Sequence, residues 1–259
     1  MRIISFNTQG RELADTKLLD IIPVTNNGTP KDIDLILLQR CTKSFLTSML
    51  MSHQVNEDRV KSWDGTSLHS TWTSSMRNNS GDQGLCVLSV KPISKFKVSR
   101  LDLAYDITDP HQCDVYQSFV FMGLRIINFL PPYSPEGVEY EYLDTLLQED
   151  VDIMVGDCHN NYRNAEVHPA KFHNFRVANN MTNWADGRPH ENDGNTQQLT
   201  WLFLRNEIIN RMDNQWILEL ESERVAQRTT SPGHSPSLYN VVMTPANGVG
   251  RSWNPSIYQ

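Results

Sequence analysis

The sequence predicts an α/β sandwich of four layers, in which two mixed β-sheets pack face to face with helices outside. Three observations predict it. Short apolar strands far outnumber long amphipathic stretches; helical stretches fall between strands near the N-terminus and again before Val151, while the middle of the chain reads as hairpins; and no internal repeat is visible. Strands joined through helices can run parallel and strands joined by tight turns run antiparallel, so each sheet is expected to be mixed. At 259 residues the chain has the length of one large sandwich domain, residues 1–259.

Each element has its own signal. Arg2 to Phe6 is an apolar strand stopped by Asn7-Thr8-Gln9-Gly10. Leu13, Leu18, Leu19 and Ile22 give a partial helical stripe from Glu12 to Ile22, and Asn26 to Pro30 breaks the chain. Ile33 to Leu38 reads as a strand buried on both faces, followed by Gln39, Arg40 and a helix through Phe45 and Met51. Ser62 to Gln83 is a polar excursion anchored by Trp63 and Trp72, with a strand near Leu68 to Thr73. Leu85 to Val90 is a strand turned by Lys91-Pro92-Ile93, and Lys95 to Leu103 alternates well enough to be its hairpin partner. Val115 to Met122 and Leu124 to Leu130 form another hairpin, ended by Pro131, Pro132 and Pro135. A helix from Glu136 to Gln148 leads into the strand Val151 to Val155. A long polar region then runs to Gln198, with His168, His173 and His190 too scattered for a ligand cluster. Leu199 to Leu204, Trp216 to Leu220 and Leu238 to Met243 complete the strands.

Composition excludes some classes of function. Apolar residues at 39 % and charged residues at 20 % describe a globular chain and not a disordered or fibrous one. A formal charge of -7 argues against a protein that coats nucleic acid with its whole surface, yet it allows a local basic groove on a protein that handles a polyanion. Cys41, Cys86, Cys113 and Cys158 form no Cys-Xaa-Xaa-Cys pair, so free thiols are expected in place of structural zinc or a disulfide framework. The opening Met-Arg-Ile-Ile-Ser-Phe-Asn has no signal-peptide core, and no apolar run approaches the roughly 18 residues of a membrane span. The expectation is an intracellular protein with no membrane partner.

The stretch from Val151 to Asn160 carries the most chemistry. An apolar strand runs there into Gly156-Asp157-Cys158-His159-Asn160, and strand ends at the rim of an α/β sheet are where such folds put ligands. Gly156 and Asp157 are equally the residues of a turn that serves backbone geometry alone. Asn7, Arg40, Asp157, Asp213 and His234 all fall at or near strand ends, so a common cleft can gather them.

Seven segments resemble the endonuclease/exonuclease/phosphatase superfamily, the DNase I-like proteins, in that family's order and over nearly the whole chain. Ile3 to Gly10 resembles its opening strand, Asp34 to Gln39 its second strand, and Gly84 to Ile93 its "GxxxLS..PI" segment. Arg125 to Pro132 is similar to "VNVYxP", Gly156 to His159 to "GDFN", Asn210 to Asp213 to "SRIDY", and Gly233 to Pro236 to "SDHxP". Phe6-Asn7-Thr8-Gln9-Gly10 is also similar to the DNase subunit of cytolethal distending toxins.

The resemblance implies cleavage of phosphoester bonds by an activated water and a divalent cation, usually magnesium. It implies that Asn7 helps place the metal ligands or phosphate, that Asp157 orients or deprotonates the water, and that His234 contacts the phosphate or shares proton work. Asp213 corresponds to the family's rim acid, with a structural role in the sheet as the competing reading. Several positions depart from the pattern. The family's metal-binding glutamate is Arg40, whose guanidinium repels a cation. The acid before the terminal histidine is Gly233, the asparagine of "GDFN" is His159 with Asn160 next, and Leu130 stands where a tyrosine or histidine usually projects. A displaced alignment would let Asp32, Asp34 or Glu223 supply the lost carboxylate.

Two readings of different class follow. One is a DNase I-like protein with a degenerate metal site that binds nucleic acid, a phosphate ester or a protein partner, with Arg40 and Asn160 on the phosphate. The other is a divergent phosphodiesterase or phosphatase using Asp157 and His234, either with magnesium or with Arg40 as a fixed charge and Asp157 and His159 as a proton-transfer pair.

Overall fold

A strand buried on both faces has no solvent face, and Arg2–Asn7 (β1) is buried from Ile3 onward: Ile4 and Phe6 on one side and Ile3, Ser5 and Asn7 on the other are all shielded. In the computed structural model, which describes residues 1–8, 10, 33–47, 69–74, 83–89, 91–101, 115–131, 138–157, 175–179, 200–205, 216–224 and 237–245, β1 pairs in parallel with Leu35–Thr42 (β2). Next in the chain come His69–Ser74 (β3), Gln83–Ser89 (β4), Ser94–Arg100 (β5), Val115–Phe121 (β6) and Leu124–Phe129 (β7). The helix Val138–Gln148 (α1) precedes Ile153–Asp157 (β8), Phe175–Asn179 (β9), Thr200–Arg205 (β10), Trp216–Arg224 (β11) and Ser237–Pro245 (β12).

These strands form two sheets of six, in the orders β11-β12-β1-β2-β4-β3 and β5-β6-β7-β8-β10-β9. Each sheet has one parallel pair, β1 with β2 and β7 with β8, and is otherwise antiparallel. The two sheets therefore repeat one topology, and the C-terminal ends of both parallel pairs meet at one rim. Ile3, Leu37 and Val87 of the first sheet pack on Phe119, Ile126 and Val155 of the second. On the outer face of the second sheet, Tyr142, Leu143 and Leu146 of α1 cover Ile127, Met154 and Phe203. That spacing is the inward stripe of an amphipathic helix.

The expected hairpin of β6 and β7 is present, and its two-residue loop explains its precision. Met122 at φ 51° and Gly123 at φ 79° are both left-handed, the conformation that matches strand twist in a tight hairpin. The expected hairpin of β4 with β5 is corrected. β4 has both edges occupied, by β2 and β3, so the chain after Ser89 crosses to the other sheet and β5 pairs with β6. β9 lies inside the region read as a long polar stretch, and β8 runs two residues past Val155, so that Asp157 is a strand residue and not part of a turn. Residues 43–47 are helical, while the stretches read as helix over 12–22 and 48–51 lie outside the described residues. No helix among the described residues is long and apolar enough to cross a membrane.

A polar seam crosses the apolar interior. Gln39 Nε2 donates to Asn128 Oδ1 at 2.8 Å and lies 3.2 Å from Ser5 Oγ, while Asn128 Nδ2 donates to Gln117 Oε1 at 3.1 Å. Gln117 Nε2 in turn donates to the Leu85 carbonyl at 2.9 Å. All four side chains are fully buried, with Gln39 to Asn128 and Gln117 to the Leu85 carbonyl crossing between the sheets. Replacement of Asn128 by Leu strands the Gln39 donor and the Gln117 acceptor, and the expected loss of stability in urea denaturation is about 2–3 kcal/mol.

Candidate functional site at the paired strand ends

β1 ends at Asn7 and β8 ends at Asp157, on opposite sheets, and the Asn7 side-chain amide donates to Asp157 Oδ2. Asn7 is 1 % and Asp157 0 % exposed, so a carboxylate lies in a place where only fixed donors can offset its desolvation. The neighbouring Gly156 explains the Gly-Asp pairing of residue types. It sits opposite Phe129 on β7, and a Cβ there would overlap the Phe129 carbonyl oxygen and come within 2.8 Å of its ring. Glycine is what the close β7–β8 spacing admits at the position just before Asp157.

Arg40 occupies a bulge. The ladder between β2 and β4 shifts register between Leu38 and Cys41, and Arg40 has φ 51°. That left-handed conformation is uncommon outside glycine and costs about 1–3 kcal/mol when the surroundings enforce it. The surroundings do: the Arg40 carbonyl accepts from Thr8 Oγ1 at 2.7 Å and from the Gly10 amide at 3.0 Å, the Gln39 carbonyl accepts from the Thr8 amide at 2.9 Å, and Trp72 Nε1 donates to the Cys41 carbonyl at 2.9 Å. Gln39 lies opposite Asn7, so the bulge starts beside the Asn7–Asp157 pair. The Arg40 side chain is half-buried, and among the described residues no hydrogen bond or ion pair engages its guanidinium.

Nearby side chains restrict the chemistry further. Leu130 is buried with Leu85 and Val115, a dry cluster where a tyrosine or histidine would have supplied a polar group. Burial pushes the Cys86 thiol well up, and the adjacent Cys41 thiol adds to the shift, so Cys86 is no thiolate nucleophile. Asp34 is not the missing carboxylate. Its Oδ2 accepts from the Arg2 amide at 2.8 Å, at the far end of β1 from the rim. Glu223 lies on the edge strand β11, opposite Leu238. His159, Asn160, Asp213, Gly233, His234 and Asp32 lie outside the described residues.

A hard divalent cation takes several oxygen ligands, with carboxylates foremost. The described rim offers one carboxylate, from Asp157, beside the amide of Asn7, with Gln39 and the Arg40 bulge next along β2. No group of three or more His, Cys, Asp or Glu suited to a metal occurs among the described residues. Among the described residues, a lone carboxylate is the low end of what holds magnesium.

No family model and no curated protein matches the sequence. Solved structures do match. An endonuclease/exonuclease/phosphatase family protein from Leptotrichia buccalis superposes with a TM-score of 0.56 at 12 % identity, over 93 % of this chain and 99 % of that one. D. rerio TDP2 complexed with a single-strand DNA product gives 0.52 at 15 % identity, over 94 % and 98 %. The chain has the DNase I-like fold. The human Nocturnin catalytic domain with bound sulfate shares it, at a TM-score of 0.50, 12 % identity and coverage of 94 % and 93 %.

Within this DNase I-like fold the structure brings together Asn7 and Asp157 and places the Arg40 bulge beside them. It also adds residues that the sequence reading passed over. Gln39, Asn128, Gln117 and Thr8 hold the rim from beneath, and the available signal was a polar residue interrupting an apolar strand, as at Gln39 after Ile36-Leu37-Leu38. Gly156→Ala is expected to destabilise the fold by about 1–3 kcal/mol through overlap with β7, read as a lower midpoint in thermal or urea unfolding.

Proposed function

We propose that residues 1–259 form one DNase I-like domain whose rim binds a phosphate group of nucleic acid or another phosphate ester, with the ancestral magnesium site degenerate and metal-dependent hydrolysis weak or lost. The observation that carries this reading is Arg40 on its enforced left-handed bulge, beside the buried Asn7–Asp157 pair. A guanidinium presents several donors in a planar fork suited to phosphate oxygens, and it stays charged at any physiological pH. Strain retained at one residue by hydrogen bonds on every side is the pattern of a position held for a ligand. Binding of single-strand DNA product by TDP2 and of sulfate by Nocturnin, each within the same fold, supports an anionic ligand.

The second reading is hydrolysis. It is favoured by the Asn7–Asp157 pair, which holds one carboxylate oxygen in place and leaves Asp157 positioned at the strand end to orient or deprotonate a water. In that reading Arg40 neutralises charge that develops on the phosphate, and His159 or His234 moves the proton.

Incubation with supercoiled plasmid, single-stranded RNA and a chromogenic phosphodiester, each with magnesium, manganese or EDTA, separates the two. No turnover is expected with a folded protein, or a slow turnover that EDTA leaves unchanged. Rapid metal-dependent cleavage abolished by Asp157→Ala would establish the hydrolase instead. Calorimetry with inorganic phosphate should show binding that Arg40→Ala weakens by roughly tenfold or more, the order of one charge-assisted pair. Saturable magnesium binding in the same experiment would overturn the role given to Arg40.

A further inference from the structure

β5 differs from every strand around it. Among the described residues it forms an edge of the second sheet, paired only with β6, and all of its residues except Ser99 are exposed. Phe96 and Val98, at 37 % and 40 % exposure, are the exposed large apolar side chains among the described residues. Lysine precedes each of them. From Lys91 to Arg100 the sequence reads Lys-Pro-Ile-Ser-Lys-Phe-Lys-Val-Ser-Arg, four cations and no acid in a chain of formal charge -7.

Lysines on an edge strand can serve simply to discourage pairing with another chain. That purpose is poorly served by an exposed Phe and Val between them, because apolar edge residues promote the same pairing. The backbone also departs from a plain edge. Lys95 has φ 51°, and the ladder to β6 shifts register between Ser94 and Lys97, so residues 95 and 96 leave the regular alternation. Neither lysine has an ion pair among the described residues.

The strand also points to the right place. Ser99 lies opposite Tyr116, Tyr116 opposite Phe129, and Phe129 opposite Gly156, which makes one rung across β5, β6, β7 and β8. Arg100 and Asp157 each lie one residue beyond that rung, on strands three spacings apart, which is roughly 15 Å. From Ser94 to Arg100 the strand therefore leads over about 20 Å toward the rim that holds Asn7, Arg40 and Asp157.

We propose that β5 is a docking track for single-stranded nucleic acid, with Lys95 and Lys97 on backbone phosphates and Phe96 stacked on a base. This rests on the reading of the rim as a phosphate site and extends it by naming the polymer. Cations alternating with an aromatic ring are the chemistry that holds unpaired strands without reading sequence, and a stacked base requires an unpaired one. The acidic remainder of the protein repels a polyanion elsewhere and so favours this strip.

The test uses the full chain and a fluorescein-labelled oligothymidylate, followed by anisotropy over a range of salt. Lys95→Glu with Lys97→Glu should weaken binding by roughly tenfold or more and flatten the plot of log affinity against log salt by about 1.4, the value for two phosphate contacts on a single strand. Phe96→Ala should weaken it by roughly fivefold or more through lost stacking. Lys95→Gln with Lys97→Gln, which leaves shape and solubility closer to wild type, should show the same trend to a smaller degree. Titration with inorganic phosphate, compared between wild type and Arg40→Ala, reports on the rim alone and so separates failure of the rim reading from failure of the track. Unchanged oligothymidylate affinity in the β5 variants, or no binding by wild type, overturns the track and leaves the lysines as guards of an edge. Displacement by polyglutamate as effectively as by unlabelled oligonucleotide, with Phe96→Ala without effect, also overturns it and assigns the strand to an acidic polypeptide.

Discussion

The hydrogen bond from Asn7 to Asp157 joins residues 150 positions apart and ties two sheets that meet elsewhere through apolar side chains and the Gln39–Asn128 seam. Most of the arrangement at the rim depends on it. A buried carboxylate is costly unless fixed donors surround it, and a strand end is an entropic liability unless something holds it. The Asn7 amide answers Asp157 Oδ2, and the bond joins the end of β1 to the end of β8. Gly156, the residue before Asp157, lets β8 run close beside Phe129 of β7. Thr8 and Gly10, the residues just past Asn7, then reach the carbonyls of Gln39 and Arg40 and set the bulge.

Beneath this rim the core is polar where a sandwich core is ordinarily dry. Ser5, Gln39, Asn128 and Gln117 cross it as a chain of satisfied amides and hydroxyls, which hold register between sheets in a way that interchangeable aliphatic side chains do not. A one-residue slip of β2 against β1 would break several of these bonds at once and move Arg40 off the rim. The left-handed backbone at Arg40 is thus over-determined from both sides, by the segment after β1 and by Trp72 of β3. Under the proposed reading, this rim offers a guanidinium to an anion at the position where the family pattern has a metal-binding acid.

The strands were legible because apolar runs and tight turns are local. β1, β6, β7 and the helix before β8 lie where periodicity puts them, and the order of motif-like segments pointed to the fold before any contact was known. What sequence misplaced were pairings. Lys95 to Arg100 alternates as an edge strand does, and nothing local says that β4 has already spent both edges on β2 and β3. β9 was overlooked because Phe175 to Asn179 is short and lies in polar surroundings, and its pairing with β10 is a long-range event.

By itself the sequence determined residue chemistry: an arginine where a carboxylate was expected, a glycine before Asp157, and a basic, acid-free segment over Lys91 to Arg100 in an acidic chain. Those are covalent facts that no folding alters. Tertiary structure alone decided which of them meet. Asn7 and Asp157 become partners because the two parallel strand pairs end at one rim, Gln39 and Asn128 become a seam because their sheets face each other, and β5 becomes a track because its rung ends level with Asp157. Such juxtapositions depend on register and on the order of strands in each sheet, quantities fixed by the sum of many weak packing contacts and carried by no single segment of the chain.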